Sequence, residues 1–313
     1  MNRYTIERTL ARALYGDVVL CTDSVSGDHV AIKRMHIASA DARTVVQDSR
    51  SVAEDISFEK QVNRAVSADG GHPNVLCMRD DFVEDGYEHF VFDFCAGGEL
   101  FEATDRLDDQ RLDAAKAQQY FVQIVHGVHF IHSRGFAHRD LSLENVLLDD
   151  ADTCRVCDFG LAASLDTKQT RAVGKAFYMA PEVLAGLSYD AAVADVWSLG
   201  ILLFILLTGA PLVEIADARD SRFQFLDTQG LRDLVQAWHM ADLFDPQCLS
   251  LLEQMLSVDP IFRLSLDDVL AHPYVTGLND KHAIDVVVDL TKDVKTPLQT
   301  THHQLVDLCA VVL

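Results

Sequence analysis

The chain has 313 residues, of which 49% are hydrophobic; this is enough for a sizeable core and excludes a chain that is disordered throughout. Its 48 acidic and 26 basic residues leave a net charge of −22, which argues against a nucleic-acid-binding protein, because such proteins neutralise phosphates with Lys and Arg. The length predicts about two domains or one two-lobed unit.

The N-terminal third has the pattern of a β-sheet with one helix. Residues 18–21 and 30–32 are rich in β-branched side chains and flank a turn-forming stretch, so they predict two strands. Residues 53–67 predict a helix that ends before a Gly-Gly pair, and residues 88–94 predict a further strand.

A long helix is predicted over residues 114–132, because its apolar residues recur on one face. His126, His129 and His132 follow one another on this helix at steps of three. That spacing fans the three side chains around the axis, so it favours solvated or capping histidines over a metal site.

The rest of the chain completes a two-lobed architecture. Two short strands are predicted around residues 145–157, and helices from residue 181 to about 274. The longest apolar run, residues 199–207, is shorter than the ~20 residues that cross a bilayer, so it predicts a buried core helix and no membrane association. A β-rich lobe and an α-rich lobe joined near residues 93–98 predict an α+β fold.

The seven cysteines have no disulfide framework spacing, so we expect a reduced protein inside the cell, in the cytoplasm or the nucleus. Cys154 and Cys157 form a C-x-x-C pair, but no second pair exists. We interpret them as residues of a buried strand rather than as a metal or redox site.

Four motifs occur in order along the chain: VAIK at residues 30–33, HRDLSLEN at 138–145, DFG at 158–160 and APE at 180–182. Together they identify the chain as resembling a eukaryotic protein kinase of the serine/threonine type, and the resemblance makes residues 138–145 the catalytic loop. The resemblance covers residues 4–274, and Gly97-Gly98-Glu99-Leu100-Phe101 makes it similar to the calmodulin-dependent and AMP-activated branch. It implies the bilobal kinase fold, with an N-lobe over about 1–94, a C-lobe over 95–274 and a C-terminal tail over 275–313 of unknown role.

The resemblance implies ATP and Mg²⁺ as cofactors and protein substrates as partners. Lys33 would contact the phosphates and be held by Glu59, with Glu54 as the alternative because the gap from Lys33 to Glu59 is long. Asn145 and Asp158 are hard oxygen ligands for Mg²⁺. Asp140 would accept or orient the proton of the substrate hydroxyl.

Further positions carry over from the family to this sequence. Asp195 would anchor the catalytic loop, and Glu182 would pair with Arg263. The nucleotide base and ribose would be contacted by Leu10, Val18, Ala31, Asp93, Cys95, Glu99 and Leu147.

The phosphate loop departs from the family pattern. Where that pattern has G-x-G-x-x-G-x-V, residues 11–18 read ARALYGDV, so Ala11 and Ala13 replace two glycines. Because glycine permits close backbone approach, the two added methyl groups predict weaker ATP affinity rather than its loss.

A second departure involves two positions that face each other in the family. The lysine usually found two residues after the catalytic Asp is Ser142 here, and the threonine usually found after Gly174 is Lys175. We interpret this as an exchange in which Lys175 supplies the missing cation beside the γ-phosphate, and therefore as a catalytic residue. The alternative is two unrelated changes in a partly disabled enzyme.

Regulation and substrate choice have weaker signals. Arg139 precedes the catalytic Asp, which suggests control by phosphorylation of the activation loop (residues 161–174), with Thr170 nearest the expected position. Residues 95–274 carry 27 acidic and 13 basic residues, and Glu99 and Glu144 match positions that receive an upstream Arg of the substrate. A basic substrate is one interpretation; a solvated acidic surface is the other.

The sequence leaves rival functions open. An active serine/threonine kinase is favoured by the complete set of phosphate-handling residues. An ATP-binding pseudokinase scaffold is favoured by the altered phosphate loop and by Ser142. A small-molecule kinase is disfavoured by the intact APE motif and the helices after it.

Overall fold

Five antiparallel strands form the sheet of the N-terminal lobe in this computed structural model, which describes residues 2–42 and 53–277. The strands predicted at 18–21, 30–32 and 88–94 are confirmed as parts of this sheet. Its members are β1 (Tyr4–Ala13), β2 (Gly16–Asp23), β3 (His29–His36), β4 (Met78–Glu84) and β5 (Tyr87–Asp93), in the spatial order β1-β2-β3-β5-β4.

Alternation of apolar and polar residues does not single out β1 or β4. Both are edge strands, and each has one buried residue, Tyr4 and Met78 respectively. A strand that faces solvent along most of its length has no buried face to encode, so the periodicity on which strand prediction rests is missing.

In the described part of this lobe, the α-helices beside the sheet are α1 (Ile37–Asp41) and α2 (Ile56–Ser67). The prediction of a helix at 53–67 is correct except for its start. Asp55 caps the helix by accepting hydrogen bonds from the backbone N–H groups of Ser57 and Phe58, so the first helical residue is Ile56. The buried face of α2 includes Val62, Val66 and the carboxylate residue Glu59.

The C-terminal lobe is helical and is built around one apolar helix, α6, which is the core helix predicted from residues 199–207. By length and composition α6 could cross a membrane, but 83% of it is buried inside the protein. The helices are α3 (Leu100–Asp105), α4 (Ala114–Ser133), α5 (Pro181–Leu184), α6 (Ala191–Thr208), α7 (Ser221–Gln229), α8 (Leu231–Ala237), α9 (Pro246–Met255), α10 (Leu266–Ala271) and α11 (Pro273–Thr276).

Short strands surround the catalytic loop. They are β6 (Gly98–Glu99), β7 (Phe136–Ala137), β8 (Val146–Leu148), β9 (Cys154–Val156) and β10 (Ala163–Ser164), paired as β6-β8-β9 and β7-β10. Cys154 lies in β9 and Cys157 directly follows it; both are buried, and burial raises the pKa of both thiols. Their interpretation as buried strand residues fits this position.

Backbone hydrogen bonds join residues 74–76, which precede β4, to Val156 of β9. The backbone N–H of Leu76 donates to the carbonyl of Val156, and that of Val156 donates to the carbonyl of Asn74, both at 2.9 Å. Gly127 of α4 allows this approach, because a Cβ there would lie 2.4 Å from the Asn74 carbonyl oxygen. The predicted two-lobed α+β fold is confirmed; residues 278–313, most of the predicted tail, lie outside the described residues.

Candidate active site

Lys33 binds two carboxylates where the sheet meets the helical lobe. Its Nζ lies 2.6 Å from Oε1 of Glu59 and 3.2 Å from Oδ1 of Asp158. Burial lowers the pKa of Lys33, but Asp158 and Glu59 outweigh it and the net shift is upward, so the side chain is an ammonium ion at neutral pH. Of the two candidate acids, Glu59 is the one that holds Lys33.

Asp158 and Asn145 offer the oxygen ligands that Mg²⁺ prefers. Lys33 lowers the pKa of Asp158, so its carboxylate is ionised. The side-chain amide N–H of Asn145 donates to the backbone oxygen of Asp140 at 2.7 Å and to its Oδ2 at 2.9 Å, which leaves the amide oxygen of Asn145 for a cation.

These two ligands suit Mg²⁺ better than a metal held by protein alone. Within residues 2–42 and 53–277, no group of three or more His, Cys, Asp or Glu side chains is placed to hold a metal ion. Mg²⁺ commonly takes one or two protein ligands and completes its shell with phosphates and water. The donor set therefore fits Mg²⁺ carried by a nucleotide.

Asp195 of α6 fixes the backbone of the catalytic loop through hydrogen bonds. It is fully buried, and its two oxygens accept hydrogen bonds of 2.8 Å from the backbone N–H groups of His138 and Arg139. His132 also contacts it, with Nε2 2.9 Å from Oδ2. Arg139 has φ 66°, a left-handed conformation that is costly for a non-glycine residue, and these bonds hold it there.

Asp140 is placed in the cleft by this arrangement. Burial raises its pKa, while the nearby Lys175 and His138 oppose the rise. A carboxylate with a raised pKa is a better proton acceptor than one in water, and Asn145 fixes its orientation.

The sheet register places three candidate contact residues on one face. Val18 pairs with Lys33, and Leu20 pairs with Ala31. Since side chains alternate along a strand, Val18, Ala31 and Lys33 point to the same side, where Lys33 meets Glu59. Leu10 of β1 is half-buried.

The other contact candidates lie in the connection between the lobes (Asp93 and Cys95) or in the strands β6 and β8 after it (Glu99 and Leu147). Cys95 and Leu147 belong to one apolar cluster with Phe92, and burial raises the pKa of the Cys95 thiol to about 12. The side chain of Asp93 pairs with Arg79, and the contact expected from its backbone stays a prediction. Glu99 is the last residue of β6 and directly precedes α3; burial raises its pKa, with Glu102 and Glu144 adding to the rise.

Known proteins share this sequence pattern over most of the chain. A family model described as protein kinase domain matches residues 4–275. This chain belongs to the protein kinase family. The resemblance predicted from the motifs is thereby confirmed.

Three plant kinases are similar to this chain. CBL-interacting protein kinase 20 of Oryza sativa subsp. japonica is 32% identical over 284 residues, which cover 88% of this chain and 57% of that protein. CBL-interacting serine/threonine-protein kinase 16 of Arabidopsis thaliana is 33% identical over 290 residues, 87% of this chain and 56% of that protein. Serine/threonine-protein kinase SRK2F of Arabidopsis thaliana is 29% identical over 281 residues, with shares of 88% and 74%. The chain spans just over half the length of the two CBL-interacting relatives.

Residues 11–18, which correspond to the family's phosphate loop, form a hairpin between β1 and β2. Ala11 and Ala13 lie in β1 opposite Val18 and Gly16, and neither has a positive φ, so alanine fits both positions. Gly16 is required by packing, because a Cβ there would lie 2.1 Å from the backbone oxygen of Arg34. The weaker ATP affinity expected from the two alanines stays a prediction.

Glu54 also lies in the cleft, although it does not bond Lys33. Its carboxyl group packs against Gly160, where an added Cβ would come within 2.9 Å of Glu54 Cδ. Burial raises the pKa of Glu54 to about 7; Lys33 opposes the rise, and Asp158 and Glu59 add to it. The hydroxyl of Tyr15 donates to the backbone oxygen of Glu54 at 2.9 Å, which ties the phosphate hairpin to the segment before α2.

Glu54→Gln is expected to stabilise the metal-free protein at alkaline pH. The folded state binds a proton at Glu54 more tightly than the unfolded state, whose carboxyl has the ordinary pKa of 4.5, so wild-type stability falls as pH rises from 4.5 to about 7. The variant lacks this loss, which is worth at most about 3 kcal/mol. Urea unfolding in EDTA checks it: the gain appears at pH 8 and fades by pH 4.5. Glu214→Gln, at an exposed site, is the matched control. An equal gain at both pH values would contradict the prediction.

Lys175 reaches the catalytic loop. Its Nζ donates to Ser142 Oγ at 2.8 Å and lies 3.8 Å from Oδ2 of Asp140 and 3.9 Å from Oε2 of Glu144. Gly174 makes this possible: it has φ 99°, and a Cβ there would lie 2.7 Å from the backbone oxygen of Arg139. The structure therefore brings the two exchanged residues into contact.

Tyr189 is a site residue that motif reasoning does not find. Its hydroxyl donates to the backbone oxygen of Arg171 at 2.9 Å, and Arg139 donates to that hydroxyl at 3.2 Å and to the same backbone oxygen at 3.1 Å. These bonds fasten the activation loop to the catalytic loop. The sequence marks Tyr189 only as an aromatic residue shortly after the APE motif, and this is not enough to predict a role for it.

Proposed function

We propose that this chain is an ATP- and Mg²⁺-dependent protein kinase that phosphorylates serine and threonine hydroxyls. The observation that carries this proposal is the joint placement of Lys33, Asp140, Asn145 and Asp158 in one cleft. Lys33 supplies a fixed cation for the phosphates, and Asn145 and Asp158 supply ligands for a cation. The names of the two Arabidopsis relatives, both serine/threonine-protein kinases, support the serine/threonine class.

Asp140 acts on the substrate hydroxyl in this proposal. Its carboxylate is oriented by Asn145 and desolvated by burial, so it can accept the hydroxyl proton as the new bond to phosphorus forms. Bound Mg²⁺ would neutralise phosphate charge. Lys33 stays charged beside Glu59 and Asp158 and orients the phosphate chain.

A phosphotransfer assay with a degenerate serine/threonine peptide library tests the proposal. Labelled ATP and Mg²⁺ are supplied, and Asp140→Asn serves as the reference for background. Transfer by the wild type well above that reference supports a kinase. Nucleotide binding without transfer supports the scaffold alternative and overturns the proposal.

We further propose that substrates carry a basic residue upstream of the serine or threonine that accepts the phosphate. Glu99, Glu102 and Glu144 are close enough for the latter two to raise the pKa of Glu99, which indicates a local excess of negative charge. Lys175 neutralises part of that charge, because it lies 3.9 Å from Glu144. We therefore assign Glu99 as the main carboxylate that pairs with the basic side chain of the substrate.

Glu99→Gln is expected to reduce the preference for upstream Arg by about two- to fivefold, the size of a solvent-accessible ion pair. Paired peptides with Arg or Ala at each upstream position, compared by kcat/KM, measure that preference. Glu214→Gln is the matched control and should leave it unchanged. A wild type that does not distinguish Arg from Ala would rule out the basic-substrate proposal.

A further inference from the structure

Among the described residues, the basic side chain nearest to the proposed proton acceptor lies outside the catalytic loop. In the catalytic loop, the second residue after Asp140 is Ser142, which is fully buried. Lys175, directly after the activation loop, donates to that hydroxyl at 2.8 Å and places its ammonium 3.8 Å from Asp140 Oδ2. The ammonium ion beside Asp140 is therefore supplied by a segment outside the catalytic loop.

Lys175 has more room for a further anionic partner than Lys33 has. Lys33 is bonded to two carboxylates at 2.6 and 3.2 Å, and 13% of its side chain is exposed. Lys175 has its nearest carboxylate oxygens at 3.8 and 3.9 Å, beyond hydrogen-bond distance, and 33% of its side chain is exposed. Its ammonium can therefore bind a phosphoryl oxygen without giving up a direct carboxylate bond.

We propose that Lys175 is a catalytic residue that binds the transferred phosphoryl group, with Ser142 as the residue that positions it; this rests on the proposed kinase function. In the transfer, the substrate oxygen bonds to the γ-phosphorus and the bond to the β–γ bridging oxygen breaks. The bond's electrons leave with ADP, and the hydroxyl proton passes to Asp140. Lys175 neutralises the phosphoryl oxygens during this step.

The position of Lys175 makes the cation depend on the activation loop. That loop is fastened to the catalytic loop by Arg139 and Tyr189, which both bond the backbone oxygen of Arg171, four residues before Lys175. Gly174 then passes against the Arg139 carbonyl in a conformation that favours glycine. Loosening of the activation loop therefore removes a catalytic cation as well as changing the substrate surface.

Kinetics of exchange variants test this inference. Lys175→Met is expected to lower kcat by about 10²- to 10³-fold with the KM for ATP little changed, whereas Lys175→Arg keeps part of the activity. The reversed pair, Ser142→Lys with Lys175→Thr, returns the ammonium to the catalytic loop and is expected to recover most of the loss. Lys168→Met removes an exposed lysine of the activation loop and is the matched control.

The dependence on the activation loop has its own comparison. Tyr189→Phe deletes the hydroxyl that binds Arg171, and it is expected to lower kcat more in the wild type than in the reversed pair, whose lysine no longer follows the loop. Equal losses in both backgrounds would overturn the dependence on the loop.

The outcomes separate the inference from the function on which it rests. A wild type no more active than Asp140→Asn overturns both. An active wild type with Lys175→Met unchanged, or a reversed pair no better than Lys175→Thr alone, overturns the role of Lys175 and leaves the kinase function standing. If Lys175→Met does not fold, as judged by thermal melting, the reversed pair and Lys175→Arg decide.

Discussion

Asp140→Asn is expected to lower kcat by about 10²- to 10⁴-fold, the range for loss of a positioned general base. The asparagine has the shape of the aspartate, and its side-chain oxygen can still accept the hydrogen bond that Asn145 donates to Oδ2 at 2.9 Å. What the variant loses is the capacity to accept a proton. In the proposed function, nucleotide binding depends on Lys33, Asp158 and Asn145 and should persist, so the fall should appear in kcat rather than in the KM for ATP.

Steady-state phosphotransfer together with nucleotide titration measures this prediction. Asp69→Asn is the matched control: Asp69 is exposed, and its φ of 57° is one that asparagine adopts readily. The control should keep full activity. Retention of more than a tenth of kcat in Asp140→Asn would contradict the assignment of Asp140 as the proton acceptor.

Arg263→Ala is expected to destabilise the protein by about 3–5 kcal/mol, because it leaves a buried carboxylate without its partner. Arg263 is bonded to Glu182 through Nη1 at 2.6 Å and Nη2 at 3.0 Å, and its side chain is fully buried. It also donates to the backbone oxygens of Val193 and Ser257, and its guanidinium lies 5.2 Å from the centre of the Trp197 ring. All of these groups lose a partner at once.

Urea unfolding checks this value, with the change expected in the midpoint rather than in the slope. Arg232→Ala breaks an exposed pair with Glu253 and should cost at most about 1 kcal/mol. Arg263→Met combined with Glu182→Leu removes both charges and should be less destabilising than Arg263→Ala. A cost for Arg263→Ala as small as that of Arg232→Ala would show that the buried pair does not stabilise the fold.

Local sequence was sufficient to locate the site residues that lie within short, recognisable motifs. Lys33, Asp140, Asn145 and Asp158 each occur beside neighbours that mark a strand, a loop or a turn, so they could be located before any contact was known. Glu59 could not be separated from Glu54 in this way. Both acids lie near the start of one helix, and the choice depends on which one the capped helix α2 turns toward Lys33.

The sequence by itself determined the family, the two-lobed α+β architecture, the order of the motifs and the excess of acid on the helical lobe, because these follow from composition and from local patterns. The tertiary structure alone decided which groups meet: Lys33 with Asp158, 125 residues apart, and Lys175 with Ser142, 33 residues apart. It also placed Tyr15, Glu54 and Tyr189 at the site. Such contacts are set by how helices and strands pack, since packing brings together side chains whose separation along the chain carries no periodic signal.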